Sequence, residues 1–285
     1  MKPAPFIHHK PRTIEDAVRL IAEFAPDDGR ILAGGQSLVP IMAFRMAKPP
    51  HLVDINDVAG LDRLEVVDGM LHVGARVRHA AFRQNAAPGP TGAFLGAVMR
   101  NIAHHPIRTR GTFCGSLAHA DPASEWCAVA ALLDAVLVAR SLDGQREIPV
   151  RDYFEAVMTT ALRPDEILVE ARLPLLAPDA RFGFCEFSRR SGDFAIAMCL
   201  VTLRVEQGRI RDARFGIGGA EAFPRRLAEV EAILDGATPG ETVWAEAARV
   251  AAAALDPLED AVTSGAYRRD LVQSLALRAL KQVEA

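Results

Sequence analysis

Near the N-terminus the apolar positions recur with a helical period. Ile14, Ala17, Val18, Ile21 and Phe24 fall on one stripe, and Thr13 supplies a capping hydroxyl with Asp16 three residues on. This predicts a helix that opens at Thr13 and stops at Pro26-Asp27-Asp28-Gly29. Arg30-Ile31-Leu32-Ala33 reads as a short strand running into Gly34-Gly35, a helical pattern resumes at Ser37 with Pro40 in its first turn, and His51 to Ile55 reads as a second strand. The opening segment is expected to be a small α-β-α-β unit.

Further along, two alternating runs, Leu64 to Val67 and Leu71 to Val73, flank Asp68-Gly69 and predict a hairpin. A helical stretch around Phe94 to Ile102 is followed by a passage from His104 to Asp121 with no regular period. Asp121-Pro122 is expected to open a helix through Leu133, and strands at Ala135 to Ala139 and Glu147 to Val150 flank the turn Asp143-Gly144. Pro174 and Pro178 mark a shift in composition between Leu173 and Asp179, where a domain boundary is placed. Beyond it, strands at Phe182 to Ser188, Phe194 to Val205 and Ile210 to Ile217, with Gln207-Gly208 as a turn, precede helices at Pro224 to Leu234, Thr242 to Ala254 and Tyr267 to Val283. That order is α+β. Arg204, Arg209, Arg211 and Arg214 are assigned to the solvated face of the hairpin.

Composition narrows the function classes. A chain of 285 residues accommodates about two domains. With 50% hydrophobic and 24% charged residues it has ample core material for a soluble protein. A net charge of −3 excludes a protein that holds a polyanion by bulk charge, and 6% aromatic content argues against rows of base-stacking platforms. Met1 to Lys10 lacks the apolar run of a signal peptide, and no stretch approaches the roughly 18 apolar residues of a membrane span. Cys114, Cys127, Cys185 and Cys199 form no C-x-x-C pair, so this chain alone builds neither a zinc knuckle nor an iron–sulfur site, and a cytoplasmic protein is expected.

Two segments carry candidate chemistry. In Leu32-Ala33-Gly34-Gly35-Gln36-Ser37-Leu38 a strand enters two glycines and a helix begins at once, which permits close approach of a phosphate to unpaired helix-start N–H groups. The same residues also fit a plain tight strand–helix turn, and the segment is neither a G-x-G-x-x-G fingerprint nor a P-loop. The second segment, Arg108 to Glu125, mixes hydroxyls, glycines and carboxylates; it reads either as a ligand-binding loop or as a surface Ω-loop. His104-His105 faces a ligand or partner, or is a solvated turn, and His119 is read as bracing the loop. Gly216-Ile217-Gly218-Gly219 is read as a strand end, and Arg189-Arg190 with Asp193 as a charge-paired turn.

Together, Ala33-Gly34-Gly35-Gln36-Ser37 and Arg110-Gly111-Thr112-x-x-Gly115-Ser116-Leu117-Ala118-His119-Ala120-Asp121-Pro122 resemble the FAD-binding medium subunit of the molybdenum hydroxylases, the group of xanthine dehydrogenase and carbon monoxide dehydrogenase. Further matches are Pro5-Phe6, Leu52-Val53-Asp54-Ile55, Thr160 to Leu168 and Arg190 to Ala195, so the resemblance covers nearly the whole chain. It implies an α+β chain: a two-part FAD-binding domain of the vanillyl-alcohol-oxidase (PCMH-like) type over 1–176, divided near 56, then a smaller C-terminal domain over 177–285 with an antiparallel sheet and helices.

For the site, the resemblance implies FAD contacts from Leu32, Ala33, Gly34, Gly35, Gln36, Ser37 and Leu38. Thr112, Gly115, Ser116 and Asp121 would serve the diphosphate and adenosine side, with Cys114 counted among the cofactor-binding positions. Glu125 would hydrogen-bond the flavin, and Ile102 and Leu162 would pack against it. Partners are implied too: a small [2Fe–2S] subunit and a large molybdopterin subunit, assembled as a dimer of heterotrimers, with electrons reaching FAD from the cluster and leaving to a terminal acceptor. Apart from the family, FAD fits a chain that must anchor two phosphates and shows no basic cluster. Two positions depart from the family pattern. Cys114 stands where relatives carry glycine, which would cost roughly 1–2 kcal/mol if φ there were positive, and Glu186 stands near a common lysine. Two other readings are a self-contained flavin oxidoreductase using His104, His105 or His119 as base, and a scaffold that has lost FAD.

Overall fold

The computed structural model describes residues 2–284. Strand β1 (Ile7–His9), helix α1 (Ile14–Phe24), β2 (Arg30–Leu32), α2 (Leu38–Ala43) and β3 (His51–Asp54) form the first unit. Its sheet is parallel, with β3 between β1 and β2. The Thr13 hydroxyl accepts from the Asp16 N–H at 3.2 Å, the predicted cap. Sequence patterning missed β1, which is three residues long and largely exposed and so shows no alternation.

The second unit is a five-stranded antiparallel sheet in the order β4-β5-β10-β6-β7: β4 (Leu64–Val67), β5 (Met70–Gly74), β6 (Val136–Ser141), β7 (Gly144–Pro149) and β10 (Ile167–Pro174). Asp68 and Gly69 both take positive φ, 49° and 76°, as the predicted two-residue turn requires. A small ribbon, β8 (Phe154–Ala156) with β9 (Thr159–Thr160), precedes the central strand β10. Helices α3 (Gly89–Met99), α4 (His105–Arg108), α5 (Phe113–His119) and α6 (Glu125–Leu132) fill the connection between β5 and β6. The passage expected to be irregular is therefore largely helical. Thr112 caps α5, accepting from the Gly115 N–H at 3.1 Å, and Ala120 closes it in the left-handed region at φ 52°. Helix α6 starts at Glu125 rather than at Asp121, because the Asp121 carboxylate turns back to accept from the Ala123 N–H at 2.9 Å.

The last unit is a four-stranded antiparallel sheet of β11 (Arg181–Phe187), β12 (Ala197–Glu206), β13 (Arg209–Gly218) and β14 (Arg225–Arg226), followed by α7 (Ala228–Leu234), α8 (Glu241–Ala253) and α9 (Gly265–Gln282). This sheet is buried on both faces. Along β12, Ala197, Cys199, Val201 and Leu203 enter a core with α8 and α9, whereas Met198 and Leu200 enter the main core of the first two units. The arginines given to a solvated hairpin face divide accordingly. Arg209 and Arg211 are exposed, but Arg204 pairs with Asp179 at 2.7 Å, Glu206 at 2.6 Å and Asp212 at 3.2 Å, and Arg214 pairs with Asp134. Among the described residues, no helix is long and apolar enough to cross a membrane.

Candidate cofactor-binding cleft

The two motif segments touch through their backbones. A Cβ on Gly34 would stand 2.4 Å from the Arg110 carbonyl oxygen and 2.7 Å from the Gly111 Cα, so only glycine permits this approach. Gly35, at φ +70°, turns the chain into α2. A hydrogen-bond chain then fixes the junction. Asn56 Nδ2 donates to the Ala33 carbonyl at 2.7 Å, Arg78 donates to Asn56 Oδ1 at 2.5 Å, and the other arm of Arg78 reaches the Arg110 carbonyl. The Arg78 guanidinium is held below its ordinary pKa by burial, then by Arg76 and Arg110. The fold thus brings Arg110 to Arg76 and Arg78, forming a basic cluster from two segments far apart in the sequence.

Between the segments lies a cavity of about 370 Å³, walled by Leu32 to Leu38 together with Thr112, Gly115 and Ser116. A second cavity of about 160 Å³ adjoins it, bordered by Ile102, Asp121, Glu125 and the turn Gly192-Asp193-Phe194. Gln36, Ser37, His79, Ser116 and His119 border both. Nearly all the sequence-derived positions therefore converge on one continuous cleft. Two do not border it. Cys114 is 2% exposed and its thiol donates to the Val73 carbonyl at 3.4 Å, because the second residue of α5 faces the core. Its φ is not positive, so the strain considered for it does not arise, and burial raises its thiol pKa. Leu162 is half-buried against the main core.

Glu125 is the cleft's most perturbed acid. Burial, then the charges of Glu186 and Asp121, push its carboxyl up to about 8. Glu186 is itself raised to about 7 by burial, and among the described residues its Oε2 has no hydrogen-bond partner. The turn from Ser188 to Phe194 is closed by the Ser188 hydroxyl donating to the Arg190 carbonyl at 2.8 Å and the Asp193 N–H donating to the same oxygen at 3.0 Å, rather than by an ion pair. Gly192 rests on the exposed His104 ring.

Residues 4–176 match the family described as the FAD binding domain in molybdopterin dehydrogenase, and residues 182–283 match the CO dehydrogenase flavoprotein C-terminal domain. The chain belongs to the FAD-binding medium subunits of the molybdenum hydroxylases. This medium subunit is 39% identical to the 6-hydroxypseudooxynicotine dehydrogenase complex subunit alpha of Paenarthrobacter nicotinovorans, over 98% of the chain and 95% of that protein. It is 36% identical to the nicotine 6-hydroxylase medium subunit of the same organism, over 100% and 99%. The crystal structure of quinoline 2-oxidoreductase from Pseudomonas putida 86 superposes with a TM-score of 0.93 at 32% identity, covering 99% of this chain and 98% of that one.

Sequence reasoning overlooked several residues of the medium subunit's cleft: Ile31, Ile41, Ile107, Phe194 and His79. The aliphatic ones carry no signal, since an apolar residue at a cleft reads like any core residue. For His79 the informative neighbour, Trp126, lies far along the chain.

Proposed function

We propose that this chain holds FAD in the cleft between the Leu32–Leu38 and Thr112–Ser116 segments and serves as the electron-transfer subunit of a molybdenum hydroxylase. The observation that carries this reading is the backbone contact of Gly34 with Arg110 and Gly111, which brings the two motif segments onto one cavity. Main-chain N–H groups from Ala33 to Ser37, the Ser37 and Ser116 hydroxyls and the positive field of Arg76, Arg78 and Arg110 suit a diphosphate. Asp121 and Glu125 supply polar contacts at the second cavity, and Ile102 supplies apolar packing. Glu125, kept protonated to about pH 8, would there be a donor as well as an acceptor.

Bound FAD would supply one- and two-electron redox chemistry between a [2Fe–2S] small subunit and a terminal acceptor, while the large molybdopterin subunit oxidises substrate. The protein's own part is to anchor the cofactor, orient it and limit water at the buried end. We place the FAD-binding domain at 1–176, the C-terminal domain at 177–285, and the assembly in the cytoplasm as a dimer of heterotrimers. The subunit names of the relatives support a multi-subunit complex over a self-contained oxidoreductase.

The test is the flavin of the assembled complex. About one FAD per chain, reducible by the reduced small subunit but not by substrate added anaerobically to the isolated medium chain, supports the reading. A complex purified without flavin, or bleaching of the isolated chain by substrate, overturns it.

A further inference from the structure

His79 is only 4% exposed, yet it borders both cavities. Its ring is fixed from two sides. Trp126 Nε1, a group that only donates, donates to His79 Nδ1 at 2.9 Å. Nδ1 must therefore present its lone pair, and the proton of the neutral ring lies on Nε2. Burial, then the charges of Arg78 and Arg108, lowers the imidazole pKa to about 4, so the ring is neutral across the physiological range.

On the other side stands Gly111, where a Cβ would lie 2.4 Å from His79 Nε2. Gly111 packs against that edge of the ring, where any larger side chain would cover Nε2, and both residues border the larger cavity. The backbone beneath is held too, since the His79 N–H donates to the Gly111 carbonyl at 3.0 Å and Arg78 bridges Thr112. Among the described residues Nε2–H has no acceptor. Buried histidines ordinarily satisfy both nitrogens. Here one nitrogen is locked by the core, and the other is a fixed, uncharged donor at the cleft.

The other polar groups at the junction of the two cavities are Gln36, Ser37, Ser116 and His119, all able to donate. A junction so rich in donors suits the most acceptor-rich part of a dinucleotide, its diphosphate. We propose that His79 is a further cofactor-binding residue, its Nε2–H donating to a diphosphate oxygen of FAD, and that Trp126 is a positioning residue that fixes the tautomer. This rests on FAD occupying the cleft.

Two substitutions separate this role from a purely structural one. His79→Asn keeps an acceptor within reach of Trp126 but withdraws the donor at the cleft; His79→Gln keeps a donor of similar reach and gives up the acceptor. In the purified holo-complex the readouts are the rate of FAD release and the ³¹P resonances of the bound cofactor. We expect His79→Asn to release FAD about tenfold faster, with displaced ³¹P resonances, and His79→Gln to stay within roughly threefold of the wild type. Trp126→Phe should fall between them, since both tautomers then become available. The reverse order of the two His79 variants, or ³¹P resonances unmoved in His79→Asn, overturns the assignment. A wild-type complex without FAD overturns instead the function on which it rests.

Discussion

Two segments of this chain look alike in sequence and have opposite fates. In each, a strand runs into paired glycines: Leu32-Ala33-Gly34-Gly35 at the end of β2 and Ile217-Gly218-Gly219 at the end of β13. In each, the second glycine of the pair takes a left-handed φ, +70° at Gly35 and +74° at Gly219. The first pair opens on a cavity. The second is filled from within, because Arg268 Nη1 donates to the carbonyls of Gly219 (2.6 Å) and Ile196 (2.7 Å), while the Gly219 N–H donates to Pro122 at 2.7 Å. A glycine pair therefore marks a close approach of backbone, to Arg110 and Gly111 at Gly34 and to the Ala195 and Ile196 carbonyls at Gly219; the difference lies beside it, where a cavity borders Gly34 and the protein's own guanidinium fills the space at Gly219.

The sharpest way to break this comparison is Gly34→Ala. The added methyl would meet the Arg110 carbonyl at 2.4 Å and force the two motif segments apart. We expect FAD affinity to fall about 100-fold, near 2.7 kcal/mol, with the flavin-to-protein ratio after gel filtration as the measurement. Gly219→Ala is the control. The left-handed φ alone makes alanine cost roughly 1–2 kcal/mol of stability there, and a Cβ 2.9 Å from the Ala195 carbonyl oxygen adds to that cost, but FAD per folded chain should stay at the wild-type level. Equal FAD loss in both variants would show that the two turns do not differ in function.

Arg268→Met probes the second turn alone. The side chain is 8% exposed and also pairs with Asp260 at 2.7 Å, so its removal strips the donor from one buried and one part-buried carbonyl. A loss of about 3 kcal/mol and a thermal midpoint lower by roughly 6–10 °C are expected. The retained FAD should again be unchanged in the folded fraction. Together with Gly34→Ala this separates the turn that stabilises from the turn that binds.

These contrasts also explain which features the sequence displays. Thr13 and Asp16 act within one turn, so the cap is legible locally, as are Asp68-Gly69 and Gln207-Gly208, where both residues take positive φ. The central strand β10 escaped notice because its register shifts between Leu168 and Glu170, which breaks the two-residue alternation that marks a strand. Helix α5 hid because it is only seven residues long, so its apolar stripe is no more than Phe113, Cys114 and Leu117 among small residues. In the cleft, the Gly34 and Thr112 segments were legible because glycine and hydroxyl needs are local. Arg76, Arg78, His79 and Trp126 were not, because their meaning lies in contacts between distant segments.

The smallest effect is a pH dependence at the cleft's buried end, and its sign follows from burial. Glu125 titrates near 8 in the folded chain, well above the 4.5 of an exposed carboxyl, so the folded state binds more protons than the unfolded state between those values. Its contribution is fully present below about 4.5 and is lost as pH rises through 8. Over pH 6 to 8 the loss amounts to about 2 kcal/mol, or roughly 4–8 °C in thermal midpoint. Glu125→Gln cannot ionise, and its midpoint should stay flatter over the same interval. The residual slope should come from Glu186, which burial raises to about 7 and which therefore destabilises in the same direction. The two curves should converge below about pH 4.5 and separate steadily above it. Parallel curves across the interval would mean that Glu125 is already ionised in the folded chain, and the buried end of the cleft would then present a fixed negative charge instead of a carboxyl able to donate.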